Sequence, residues 1–175
     1  MEALKKNSMN FGLILGVILI LMTTILYSID VSLFTKPWVG IINVVIISTM
    51  GVIAATSHKK SIGSFITFKE AFTAFFITVA TGLFLSTLFT ILLFNFIDPE
   101  AKRIISENII KYTMEMMQKF GAKAADINKI VADMEKTDSF GPYGQLKGFF
   151  FNLIIYCIIG LISALVIKRE RPQSL

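Results

Sequence analysis

Cysteine and histidine are nearly missing from this chain: 175 residues contain one of each. Cys157 has no partner for an internal disulfide, so the redox compartment is unreadable, and its position inside an apolar block marks it as a packing residue. His58 is flanked by lysines that repel a metal cation. A zinc site needing several nitrogen or sulfur ligands is therefore not expected, and His58 reads as a solvated loop residue. A glycine-rich phosphate loop, an HExxH and a GxSxG are all absent, and no internal repeat is evident. Charged residues make up only 17% of the chain, against about a quarter in soluble domains. None lies near the middle of a long apolar run, which argues against a buried proton or ion path. The longest run also lacks the glycine–proline interruption of discontinuous transporter helices.

What the chain has instead is apolar length. It is 54% hydrophobic with a mean hydropathy of +0.71, and the apolar residues gather into runs at about 9–29, 38–56, 71–97 and 149–167. Each matches or approaches the ~17 to 25 residues that cross a bilayer as a helix. The first is too long for a signal-peptide core of ~7 to 15 residues and no small-x-small cleavage site follows it, so it reads as an uncleaved anchor. Residues 30–37 form a short turn, and Trp38 opens the second run at an interface. Residues 57–70 read as a basic polar loop with Gly63 as a turn residue. The third run exceeds the hydrocarbon thickness and should tilt or begin in the headgroups. After the fourth, Pro172 limits further helix. The expectation is an all-α fold, a four-span transmembrane bundle forming one membrane domain.

Residues 98–148 are too polar for lipid. Asp98 suits a helix N-cap, Pro99 the first helical position and Glu100 the positive end of the dipole. Ile105, Ile109, Tyr112, Met116 and Phe120 then share one stripe, widened by Ile110 and Met117. Glu107–Lys111 and Glu115–Lys119 line the opposite side as favourable i,i+4 pairs. Gly121 can end that helix, and Ile127, Ile130, Val131 and Met134 define a second amphipathic run before the turn "DSFGPYG". The segment is expected to be an amphipathic helical hairpin or a pair of interfacial helices.

Basic residues exceed acidic ones, 17 to 12, but they flank the apolar runs rather than forming an aromatic-studded stripe, so nucleic acid is not an expected partner. Lys5, Lys6, Lys59, Lys60, Lys69, Lys168, Arg169 and Arg171 are concentrated in short tails and one short loop. The basic residues of 98–148 are diluted by as many acids. Density therefore places both termini in the cytoplasm and the hairpin outside.

Small residues recur four apart in every run, as close helix packing in lipid requires. They are Gly12 and Gly16; Gly51 and Ala55; Ala74, Thr78, Gly82, Ser86 and Thr90; and Gly160 and Ala164. Asn43, Asn95, Asn152 and Tyr156 are the most polar groups within the runs. Interhelical hydrogen bonding is their expected role, with a substrate-lining role as the alternative. Asp30 and Asp98 are candidate acids by position, though capping explains both. Met114, Met116, Met117 and Met134 suit an adaptable surface, expected to serve hairpin packing or the bilayer edge, with partner binding as the alternative.

Four stretches, "NFGLILGVI" at 10–18, "FITFKEAF" at 65–72, "NFIDPE" at 95–100 and "LIIYCIIGLISALVIKRERP" at the end, resemble a bacterial family of small integral membrane proteins known as domain of unknown function 4199. The resemblance covers essentially the whole chain. It implies a four-span protein of the bacterial inner membrane and brings no catalytic residue with it. The functional expectation is a non-enzymatic accessory or assembly protein, without cofactor or metal. Its partners would be the lipid bilayer and a membrane-protein partner or a second copy, met through Ile105, Ile109, Tyr112, Met116, Met117 and Phe120. The alternative is a carrier or flippase-type component for lipid or a lipid-linked precursor.

Overall fold

A computed structural model describes residues 1–169; Arg171 and Pro172, invoked above, lie outside them. The four apolar runs become α1 (Glu2–Ile29), α2 (Pro37–Ser61), α3 (Phe68–Leu92) and α6 (Pro142–Ile167). Between α3 and α6 stand α4 (Pro99–Lys119) and α5 (Ala124–Lys136). No strand forms among the described residues, only one antiparallel bridge between Ile66 and Arg169.

The elements begin where the sequence offers caps. Asp98 accepts the Ala101 N–H at 2.9 Å and Pro99 opens α4. Thr67 and Glu70 form a reciprocal capping box at the start of α3: the Thr67 hydroxyl takes the Glu70 N–H, and the Glu70 carboxylate takes the Thr67 N–H. That box gives "FITFKEAF" a physical role. Gly121 ends α4 with a φ of +75°. The turn at 30–37 contains a short 3₁₀ segment, Val31–Thr35, capped by the Asp30 carboxylate on the Ser32 N–H at 2.8 Å.

Several helices outrun the apolar runs that predicted them. The 28 residues of α1 span about 42 Å at ~1.5 Å each, more than the ~30 Å of hydrocarbon, so its first turns with Lys5 and Lys6 reach the headgroups. Similarly, α6 starts at Pro142 rather than near 149, and α2 runs on to Ser61 rather than stopping near 56. The extension of α2 corrects the reading of His58. It sits on a helix and is buried, 6% exposed. The reason is register: Gly51, Ala54 and His58 recur at i, i+3 and i+7, so His58 continues the packed face although its sequence neighbours are lysines. The last residues of the third run also depart from the α-helix, winding as a π turn at Leu93–Ile97.

Both α2 and α3 touch every other span, whereas α1 and α6 lie on opposite sides of that pair and do not pack on each other. Three clusters fill the bundle from end to end. At the near end Leu4, Ala55, Ile66, Ala71, Ala164 and Ile167 pack together, which places both ends of the described chain on the same side. Phe75, Leu15, Leu19, Ile47, Val79 and Tyr156 fill the middle. At the far end Leu93, Phe94, Ala101 and Ile105 join the 3₁₀ segment and α4 to the bundle. The near end is closed by Lys59 Nζ, which donates to the Ile167 carbonyl at 2.7 Å.

Small residues stand where the helices approach most closely. A Cβ on Gly16 would lie 2.6 Å from Leu85 Cδ2, and one on Gly82 the same distance from Leu15 Cδ2. Thr78, fully buried, donates to the Ser8 carbonyl at 3.0 Å and joins α3 to α1. Gly51 and Gly160 face the two edges of the Phe75 ring. Ser86 and Thr90 are the exceptions. Both are only partly buried and line a cavity.

Candidate functional site

That cavity, about 380 Å³, lies in the far half of the bundle where the spans separate. Each span contributes one face to it. Leu19 and Thr23 come from α1, one turn apart, and α2 supplies Gly40, Asn43 and Ile47 at i, i+3 and i+7. Ser86 and Thr90 stand one turn apart on α3 beside Thr87, and Asn152 and Tyr156 one turn apart on α6, with Gln145 nearer the rim. Leu19, Ile47 and Tyr156 also belong to the middle cluster, which forms the floor. Hydroxyls and amides share its walls with Val44 and Leu83, and no lining residue carries a charge.

The polar groups here are incompletely used. Asn152 donates to Gly148 O at 2.9 Å in its own helix, and Thr90 to Ser86 O at 2.9 Å. Tyr156 lines the cavity; the residue is 4% exposed as a whole, but its unbonded hydroxyl stays accessible, the fully buried side-chain polar atoms without a partner among the described residues being Asn7 Nδ2 and Ser48 Oγ, neither of which lines the cavity. Gly40, also on the lining, is exposed, and a Cβ there would meet nothing within 4 Å.

A larger hollow of about 650 Å³ adjoins the first, sharing Thr87, Gln145 and Asn152 with it. Lys147, Phe151 and Ile154 line it along one stripe of α6 at i, i+4 and i+7, Ser139 adds a polar group, and a Cβ on Gly148 would meet nothing within 4 Å. Of the polar groups singled out in the sequence, Asn43, Asn152 and Tyr156 therefore converge. Asn95 does not. Its amide donates to Phe140 O at 2.8 Å and its oxygen accepts from Lys102 Nζ at 3.1 Å, which ties the segment before α6 to the end of α3. Lys102 also pairs with Asp138 at 2.5 Å.

The apolar stripe of α4 needs correction as a partner face. Ile105 is fully buried and Ile109 packs beside it, both taken up by the protein's own far-end cluster. The cause is the docking of the first turns of α4: Tyr27 donates to Asp98 at 2.7 Å, and Phe34 and Phe140 meet the Phe94 ring edge-on at 5.7 and 5.5 Å. Only Tyr112 and Phe120 of the stripe are exposed, while Met116 and Met117 are half-buried. Asp98 is held below the usual carboxylate range by the Ala101 N–H and the Tyr27 hydroxyl, and Asp30 by the Ser32 N–H and hydroxyl. A general acid needs the opposite shift. Among the described residues no group of three or more His, Cys, Asp or Glu could hold a metal ion.

Four helices long and apolar enough to cross a bilayer, with their charges confined to the ends and to α4 and α5, define a multi-span helical membrane protein. The chain belongs to the family described as protein of unknown function (DUF4199), whose model matches residues 10–169. No curated protein and no solved structure matches it.

Proposed function

We propose that this is a non-enzymatic protein of the bacterial inner membrane that holds the polar part of a membrane lipid or lipid-like molecule in the cleft between its four spans. The observation that carries this reading is the convergence of Asn43, Ser86, Thr90, Asn152 and Tyr156 from three spans on one cleft in which no lining residue is charged. Ligand sites typically occupy ~300 to 1,000 Å³ and combine apolar walls with a few convergent polar groups. The accessory role through α4 is the weaker reading, because Ile105 and Ile109 are committed to the protein's own core.

Gly40→Leu tests the cleft directly, since the added side chain enters open space. The variant should fold with an unchanged melting temperature yet retain at least about fivefold less lipid by native mass spectrometry, equivalent to about 1 kcal/mol of lost binding. Equal retention by the variant and the unaltered protein would remove the cleft from consideration.

In the proposed orientation the near end, with Lys5, Lys6, Lys59, Lys60, Lys69, Lys168 and Arg169, faces the cytoplasm, and α4 and α5 lie outside. The density of positive charge supports it. With Cys157 replaced by alanine, a cysteine at position 123 should react with a membrane-impermeant maleimide on intact cells, and one at position 60 only after permeabilisation. The reverse pattern would invert the orientation and leave the cleft reading untouched.

A further inference from the structure

The joined cavities carry more information than a volume, because their charges, hydrogen-bonding groups and apolar surface occupy different places. The chamber around Asn43, Asn152 and Tyr156 offers both donors and acceptors but no carboxylate. An ammonium placed there would be desolvated without a counter-charge, an expensive arrangement in a low-dielectric site. A hydroxyl-rich neutral group would instead find partners at every wall, including the Tyr156 hydroxyl that now has none.

Lys147 lines the adjoining hollow. It forms no ion pair among the described residues, whereas the acid closest in sequence, Asp138, is already taken by Lys102. A cation left unpaired beside a polar cleft is suited to a phosphate. Phe151 and Ile154 line the same hollow one and two turns along α6 from Lys147, on the same stripe at i+4 and i+7, and both are exposed apolar surface. They continue the trough into the hydrocarbon, where acyl chains lie.

We infer that the ligand is an anionic phospholipid whose headgroup beyond the phosphate is an uncharged polyol: headgroup in the Asn43–Tyr156 chamber, phosphate at Lys147, chains along Phe151 and Ile154. This inference rests on the cleft reading above and gives it a chemical class. It excludes amine headgroups, because they would put an ammonium into a chamber without an acid. The small polyol phosphate alone shares the recognition chemistry but lacks the chains, so a soluble source is separable from a membrane one.

The test offers the full-length protein, purified in mild detergent, an equal mixture of phosphatidylglycerol and phosphatidylethanolamine with matched chains, followed by native mass spectrometry. The glycerol lipid should be retained over the amine lipid by at least about tenfold, the scale of one uncompensated buried charge. Lys147→Gln, a surface change that leaves the fold intact, should lower retention of the glycerol lipid by about fivefold, the scale of one lysine at an anionic surface. Asn43→Leu should reduce the selectivity between the two headgroups. Equal retention of both lipids, or preference for the amine, overturns the assigned class while leaving the cleft as a lipid site. Absence of any retained lipid overturns the cleft reading itself. Displacement by millimolar glycerol 3-phosphate would assign the site to a soluble ligand and overturn the lipid assignment.

Discussion

Phe75→Ala is expected to destabilise the bundle by about 2–4 kcal/mol, seen as an earlier unfolding midpoint in a denaturing-detergent titration. Truncations of buried phenylalanine in soluble cores cost about 3–5 kcal/mol, part from transfer out of water and part from the cavity left behind. Between membrane helices the transfer part largely falls away and the packing part remains. That part is large here. Phe75 is 1% exposed and stands between α2 and α6, where a Cβ on Gly51 would lie 2.5 Å from its Cδ2 and one on Gly160 2.7 Å from its Cδ1. One ring thus separates three helices at their closest approach. The coupling is also testable: Gly51→Ala alone should destabilise, and in the Phe75→Ala background it should be neutral or restore some stability. Additive effects would mean that the ring and the glycine do not meet.

Gly12→Leu should rank beside it, costing about 3 kcal/mol, the upper end of the range for overpacked interiors. A Cβ at Gly12 would already approach Thr81 Cβ to 2.6 Å and the Thr78 carbonyl oxygen to 2.9 Å. A flexible side chain can yield, but a backbone oxygen in the middle of α3 cannot. Relief requires α1 to move off α3, which also stretches the hydrogen bond from Thr78 to Ser8 and opens the Gly16–Leu85 and Gly82–Leu15 contacts. The expected readout is a lowered unfolding midpoint and faster tryptic cleavage near Lys5 and Lys6. Gly40→Leu, which meets nothing, serves as the control. Matching behaviour of the two variants would refute the close pairing of α1 with α3.

Much of the fold is legible in the sequence, because bilayer thickness and helix caps act directly through residue type. The exit at Asp98-Pro99 is one example, and the stop at Gly121 another. Helix ends were harder to read wherever a helix runs on past its apolar face, as α2 does through Lys59 and Lys60. His58 looks like a loop residue for that reason, although its register with Gly51 and Ala54 continues the packed face. Ser86 misled in the opposite way. A four-residue repeat of small side chains shows that a neighbour can come close, not that one does over the whole length, and at the far end the spans part. Asn43, Asn152 and Tyr156 stood out singly by polarity. Their convergence depends on the relative rotation of three helices, a quantity no single helix encodes. The fate of Ile105 likewise depended on a partner distant in sequence, the segment around Phe34 and Phe94.

The π turn at Leu93–Ile97 has an angular effect. A π turn holds one residue more than an α turn, and one residue is about 100° of azimuth. Everything that follows is swung by that amount from the course of an unbroken helix. The surplus residue thus works as an aiming device, bringing Asn95 onto Phe140 and Asp98 onto Tyr27 while Phe94 stays inside. Polarity alone says that the chain must leave the membrane here; the added residue sets the compass bearing on which it leaves.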